Sequence, residues 1–417
     1  MRVLFCTDTY PPQINGVSIV TALSVAGLGR LGWECAVASP RYPAAAYRQW
    51  GGVETDAPGE NGENLTLPSI AMPGYPEVRL AWPGVSAIRS LIERFRPDLV
   101  HCATEFAVGR AGQVAAGRAG IPLVSSFHTD FGRYAEAYGV PWLRSSVSSH
   151  LARFHRRSRR VYTPSAASRA EVLELGVADV ETWGRGADVE LFHPGRRSQD
   201  MRAALGIGSR FTFLYVGRLA AEKRVEHVIE AFRIAGEFLP RGMIHLVIAG
   251  TGPREEEIRA AAPAGVDFLG FLERRSRLPD LYANCDAFIF SSVTETLGLV
   301  LLEAMASGLP VIAAPAGGVR DHLRDGVNGL AYPEGDVGAM AQAMVRLAGD
   351  LTLTRRLSRG ARKTAEGLSW EREMERLDRS YREVCEGAPG AQPAESGNQH
   401  VTVVPMPRSL SADTRPP

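Results

Sequence analysis

The chain has 417 residues, 45% of them hydrophobic and 22% charged, and its 47 basic and 46 acidic side chains leave a net charge of +1. That length suits two domains with sizeable cores, and the composition is that of a globular protein rather than a disordered or fibrous one. No apolar run approaches the roughly 20 residues of a membrane-spanning helix, and a near-neutral total charge argues neither for nor against nucleic acid.

Met1-Arg2-Val3-Leu4-Phe5-Cys6-Thr7-Asp8 reads as a strand over 3–6 that turns polar too early for a signal peptide, so a cytoplasmic protein is expected. Cys6, Cys35, Cys102, Cys285 and Cys385 show neither metal spacing nor a disulfide framework and are expected to be reduced core residues. Further strands are predicted over 34–39, 99–102, 123–127 and 160–164, with helices such as 17–31 and 85–94 between them. This alternation predicts α/β units around a parallel sheet. Residues 41–63, rich in Pro, Gly and Ala, read as an irregular excursion or lid.

Three features of this half are candidates for chemistry. Asn15 and Gly16 stand where the loop after the first strand opens a helix; they form either a turn with an N-cap or a backbone cradle for a phosphate or sugar. The fingerprint G-x-G-x-x-G is absent, so a dinucleotide cofactor is not expected. His128 and Asp130 follow the strand ending near 127, where His128 suits hydrogen bonding to a sugar hydroxyl or acceptor and Asp130 suits an orienting or base role. Between 144 and 169 an amphipathic helix carries a cationic side with Arg153, Arg156, Arg157 and Arg160. Such a face is either merely solvated or a contact for anionic lipid headgroups or an anionic acceptor. It has no aromatic stacking ladder, so nucleic acid is not an expected partner.

The pattern resets around His193-Pro194-Gly195, and a hinge is expected near 194–208. Strands follow over 211–217, 244–249, 266–269, 287–290 and 310–313. Arg218 and Lys223 lie beyond the first of these, where open α/β sheets bind ligands, and suit a diphosphate. Gly250 and Gly252 form either a tight turn or the floor under a nucleotide base. In Ser291-Ser292-Val293-Thr294-Glu295-Thr296-Leu297-Gly298-Leu299-Val300-Leu301-Leu302-Glu303 a strand passes through a loop into a helix, whose first amides at Gly298, Leu299 and Val300 form an anion site. Glu295 and Glu303 flank it; carboxylates grip hydroxyls rather than phosphate, so a ligand with both a diphosphate and sugars is implied. Residues 337–386 look helical, with Trp370 opening the last amphipathic segment, and 388–417 read as a disordered tail. Neither G-x-S-x-G, a Walker loop, H-E-x-x-H nor a D-x-D motif occurs, and no metal is expected.

Glu295 and Glu303, with seven residues between them and followed by Ala304-Met305-Ala306-Ser307-Gly308-Leu309-Pro310, resemble the E-x7-E signature of retaining glycosyltransferase family 4. Arg218, Lys223, Gly250-Thr251-Gly252-Pro253 and Gly317-Gly318 match its donor-binding half. Within the family, residues 11–17, 73–79, 127–138 and 184–192 look most like GDP-mannose-dependent α-mannosyltransferases acting on glycolipids. Neighbouring branches use UDP-glucose, UDP-sulfoquinovose or UDP-N-acetylglucosamine on a similar framework. Leu297, Ala187 and Ala221 depart from the family's usual residues without removing a polar group.

The resemblance implies the α/β architecture called GT-B, two Rossmann-like domains facing across a cleft. It divides the chain into an acceptor-side domain at 1–195, a donor domain at 196–368, a helix crossing back at 369–387 and the tail at 388–417. It assigns the donor diphosphate to Arg218, Lys223 and Gly16, the ribose to Glu303, and the reacting sugar to Glu295 and His128; beside these, the residues themselves suggest the amides at Gly298, Leu299 and Val300 for the diphosphate and Asp130 for a catalytic role. It implies hexosyl transfer from a nucleotide sugar to a lipid or glycan acceptor; the cationic groups and amides of the site are expected to replace a metal, and the protein is expected to be cytoplasmic, either free or, through the arginine face, peripheral on the inner face of the plasma membrane. The rival readings are a UDP-sugar-dependent transferase of the same fold, a non-catalytic nucleotide-sugar-binding protein, and a phosphorylase or epimerase.

Overall fold

Two parallel sheets organise the structure, a computed structural model that describes residues 1–13, 15–43, 64–72, 75–82, 84–128, 144–183, 186–296 and 298–387. The chain opens with β1 (Arg2–Cys6), α1 (Gly16–Arg30), β2 (Glu34–Pro40) and the short edge strand β3 (Leu65–Leu67). An antiparallel hairpin, β4 (Ser69–Met72) and β5 (Tyr75–Ala81), stands apart from the sheet. Then come α2 (Val85–Phe95), β6 (Leu99–Cys102), α3 (Ala107–Ala119), β7 (Leu123–Ser126), α4 (Arg144–His155), β8 (Arg160–Thr163), α5 (Ala166–Glu174) and β9 (Val180–Thr182). The strand order is β3-β2-β1-β6-β7-β8-β9, all parallel.

The second half repeats the plan. After α6 (Gln199–Ala204) come β10 (Phe211–Val216), α7 (Val225–Phe238), β11 (Ile244–Ala249), α8 (Glu255–Ala261), β12 (Val266–Gly270), α9 (Leu278–Asn284), β13 (Ala287–Phe290) and α10 (Leu299–Ala306). The set closes with β14 (Val311–Ala313), α11 (Val319–His322), β15 (Gly329–Ala331), α12 (Val337–Gly349), α13 (Leu351–Glu366) and α14 (Trp370–Glu386). The order β12-β11-β10-β13-β14-β15 reverses direction between β10 and β13. The first sheet reverses between β1 and β6 in the same way, so each half is Rossmann-like with a crevice at its switch point.

Strands β10, β11 and β13 are buried at every residue, which is why they read as apolar runs interrupted only by Thr212 and His245. The hairpin, β9 and β15 escape such a reading because they are short or lie at edges. Helix α3 escapes it because AVGRAGQVAAGRA has too few large apolar residues to set a period. All five cysteines are free, four of them buried. Most of the expected lid and the whole segment 388–417 lie outside the described residues.

The expected hinge at 194–208 is fastened instead to the second half. Arg197 Nη2 meets Asp286 Oδ1 at 2.6 Å, Arg202 donates to the Asn284 carbonyl at 2.5 Å, and Ser198 N donates to Asn284 Oδ1 at 2.9 Å. Ala187 and Phe192 also pack in the core of the second half, ahead of residue 196. The last helix, α14, packs Trp370, Met374, Leu377, Tyr381 and Val384 against Val3, Phe5, Trp33 and Trp183 of the first half. A Cβ on Gly27 would lie 2.5 Å from Met374 Cγ, so α1 needs its bare backbone there. Among the described residues no helix is long and apolar enough to cross a membrane.

Candidate functional site

The switch point of the second sheet gathers two loops. The loop after β10 carries Arg218 and a short 3-10 turn, Ala221–Lys223; the loop after β13 carries Glu295. Ser291 Oγ donates to the Lys223 carbonyl at 2.7 Å and joins them. Lys223 Nζ then meets Glu295 Oε2 at 2.6 Å, with side chains 16% and 23% exposed, so the pair is within reach of a ligand. Arg218 Nη2 meets Glu222 Oε1 at 2.6 Å; the Glu222 side chain is fully buried, and Arg218 holds its carboxyl below the usual range against the opposing effect of burial.

Gly250 and Gly252 support this arrangement from below. A Cβ on Gly250, where φ is +138°, would lie 1.9 Å from the Gly217 carbonyl oxygen, and one on Gly252 would lie 2.3 Å from that of Leu219. Leu219 N also donates to the Thr251 carbonyl at 3.0 Å. What these glycines are seen to shape is the loop that bears Arg218. Gly317 does the same for Glu295: at φ +52° its Cβ would stand 2.3 Å from the Glu295 carbonyl oxygen, which accepts from Gly318 N at 2.9 Å.

Gly298 takes the left-handed conformation at φ +78° and opens α10 without a side-chain cap. The first amides there, at Leu299 and Val300, keep the N-terminal dipole available to an anion. Glu303 lies a turn further along, 4% exposed. Its Oε1 accepts from Arg274 Nε at 2.8 Å and Nη2 at 2.7 Å, and its Oε2 from the Tyr282 hydroxyl at 3.4 Å. Burial raises the Glu303 carboxyl, and Arg274 and the Tyr282 hydroxyl draw it back. Sequence reasoning missed both partners; Arg274 stands 29 residues from Glu303, and only its place in a loop after a strand end hinted at a role.

The first half contributes its own switch-point loops. Asp8 Oδ1 accepts from Val108 N at 2.8 Å and Asp8 Oδ2 from Thr104 Oγ1 at 2.6 Å, tying the loop after β1 to the start of α3. Asn15 serves as the N-cap of α1, accepting from Ser18 N at 2.8 Å and donating to Thr9 Oγ1 at 2.7 Å. A Cβ on Gly16 would meet none of the described residues within 4 Å. The His128 carbonyl accepts from Thr296 Oγ1 at 2.7 Å, which brings the end of β7 against the Glu295 loop. Asp130 lies outside the described residues.

The expected cationic face is corrected. The helix ends at His155, and Arg160 lies in β8 with its guanidinium on Asp179 at 3.2 Å, Glu181 at 3.4 Å and Glu383 at 2.9 Å. Arg160 therefore clamps α14 and presents no free charge. Arg156 donates to the Leu175 carbonyl at 2.7 Å. Arg153 and Arg157 are exposed, and burial together with repulsion from Arg157 and Arg153 lowers the Arg110 guanidinium of α3 from its ordinary value.

Residues 14–191 match the family described as Glycosyltransferase Family 4, and residues 210–350 match the one described as Glycosyl transferases group 1. The chain is 32% identical over 374 residues to a GDP-mannose-dependent alpha-mannosyltransferase of Mycobacterium tuberculosis, covering 89% of this chain and 93% of that protein. It is also 32% identical over 313 residues to the Sulfoquinovosyl transferase SQD2 of Arabidopsis thaliana, covering 72% of this chain and 60% of that protein. Among solved structures, Anabaena HepE in complex with UDP and glucose superposes with a TM-score of 0.71 at 22% identity, over 92% of this chain and 99% of that one. That likeness shows the shared GT-B fold.

Proposed function

The chain belongs to glycosyltransferase family 4, and from that premise we propose that it moves an α-mannosyl group from GDP-mannose to a lipid or glycan acceptor, with retention at the anomeric carbon and without a metal. The observation that carries this reading is the meeting of Lys223 and Glu295 at 2.6 Å beside the uncapped start of α10, with His128 joined to the same loop through Thr296. On donor binding the diphosphate takes Lys223, Arg218 and the first amides of α10, while hydroxyls of the sugar take Glu295. The bond from the anomeric carbon to the phosphate oxygen breaks with its electron pair passing to the diphosphate, the oxygen of the acceptor hydroxyl bonds to the anomeric carbon, and the hydroxyl proton goes to the departing phosphate oxygen. Negative charge grows on the departing diphosphate, so fixed donors there stabilise the transition state more than the ground state. A carboxylate held by an ammonium group suits hydroxyl binding better than nucleophilic attack.

A UDP-sugar donor is the second reading, favoured by equal identity to a sulfoquinovosyl transferase and by a fold neighbour solved with UDP and glucose. Thermal shift with GDP-mannose, UDP-glucose and UDP-N-acetylglucosamine decides between them. GDP-mannose alone is expected to raise the melting temperature and to be consumed with a lipid extract; a shift with a UDP-sugar only would overturn the mannosyl reading.

On this reading a lipid acceptor sets the enzyme on the inner face of the plasma membrane, with the exposed Arg153 and Arg157 available to anionic headgroups. The chain is expected to float with anionic liposomes at low salt, and the double variant Arg153→Glu with Arg157→Glu to stay at the bottom of the gradient. Equal sedimentation of both proteins would remove the membrane contact.

A further inference from the structure

Glu303 needs a countercharge whether or not a nucleotide is bound, because a buried carboxylate without one reverts to the neutral acid. Arg274 supplies it from the loop between β12 and α9, with the two side chains 13% and 5% exposed. The geometry is lopsided: both Arg274 nitrogens fall on Oε1, at 2.8 and 2.7 Å, whereas among the described residues Oε2 has only the Tyr282 hydroxyl at 3.4 Å, which also lies 3.2 Å from the Val300 carbonyl. The guanidinium also lies over the Phe192 ring, 5.2 Å from its centroid, which restrains its plane. An ionised carboxyl only accepts hydrogen bonds, and each oxygen accepts two; a neutral one spends an oxygen as a donor.

We propose that Arg274 is a positioning residue for the nucleotide ribose: its guanidinium supplies the countercharge of Glu303 and occupies Oε1, leaving Oε2 to accept the ribose hydroxyls. The inference rests on the assignment of Glu303 to the ribose. Burial and the nearby Asp188 both push the Glu303 carboxyl up, and Arg274 is the strongest influence in the other direction.

The test measures binding of GDP and UDP against their 2′,3′-dideoxy forms by calorimetry. It compares the wild type with Arg274→Met, Arg274→Lys, Glu303→Gln and the double variant of Arg274→Met with Glu303→Gln. Titrations run from about pH 5.5 to about pH 8.5, the range in which a buried unpaired carboxyl takes up its proton. The wild type is expected to prefer the ribose form by about tenfold or more at every pH, as hydrogen bonds to a charged group warrant. Arg274→Met is expected to lose that preference as the pH falls and regain it as the pH rises, since Glu303 is then neutral on the acid side. Arg274→Lys restores the flat profile, and the double variant matches Glu303→Gln alone. If Arg274→Met fails to fold, Arg274→Gln carries the same titration. A flat profile with the preference intact in the arginine variants, while Glu303→Gln loses it, overturns this inference alone. An intact preference in Glu303→Gln overturns the ribose assignment as well.

Discussion

Lys223→Ala is expected to lower kcat/KM for sugar transfer by about 10²–10³-fold, the usual cost of removing one preorganised donor from a site of developing negative charge. Two features set that size. Lys223 is held by its backbone through Ser291 and by its side chain through Glu295, so its ammonium is already placed before a donor arrives. The substitution also releases Glu295 from its ion pair, so the two residues act as a unit. Lys223→Ala, Glu295→Gln and the double variant should therefore be far from additive, with the double variant little worse than the poorer single. Steady-state kinetics with circular dichroism on each variant checks this. A folded Lys223→Ala enzyme at wild-type rate would remove the diphosphate from this loop.

Tyr381→Ala is expected to destabilise the protein by about 3–5 kcal/mol, as for other large buried aromatic residues cut to alanine. Tyr381 has no exposed surface, stands edge-on to Trp33 with centroids 5.6 Å apart, and places its hydroxyl on His101 Nδ1. His101 in turn reaches Ser126 Oγ at 2.6 Å through Nε2, so this buried network joins α14 to the centre of the first sheet. Denaturant unfolding gives the number, and a loss under about 1 kcal/mol would show that α14 is only lightly held, as for a site that collapses on truncation. The same network sets a pH dependence. Burial pushes the His101 imidazole from 6.5 down to about 3, so the fold keeps it neutral. The unfolded chain takes up its proton near the ordinary value, so this contribution is complete above about pH 6.5 and is lost as the pH falls toward 3.

Both sheets were legible where strands are buried on two faces. Phe211–Val216 and Ile244–Ala249 could be read from apolar runs, each with a single polar residue, Thr212 or His245, and each followed by glycine. Leu65–Leu67 could not, because three residues at a sheet edge carry no period. The cationic face shows how local reading misleads. Arginines from 153 to 160 were read as one face of a continuous helix, but that helix ends at His155 and Arg160 begins to pair within a strand. The partner that does complete the cluster, Arg110, lies on a helix whose small residues conceal it in the sequence.

The candidate site divides along the same line. Spacing alone put Glu295, Gly298 and Glu303 on one loop and helix and set Arg218 and Lys223 beyond a strand end, because backbone geometry fixes what lies within a few residues along the chain. Only the tertiary structure decided that Lys223 faces Glu295 across 72 residues, that Arg274 faces Glu303 across 29, and that Thr296 touches His128 across 168. Which charge neutralises which depends on how separate elements pack. A buried carboxylate takes whatever cation the fold brings within reach, and no local pattern records that choice.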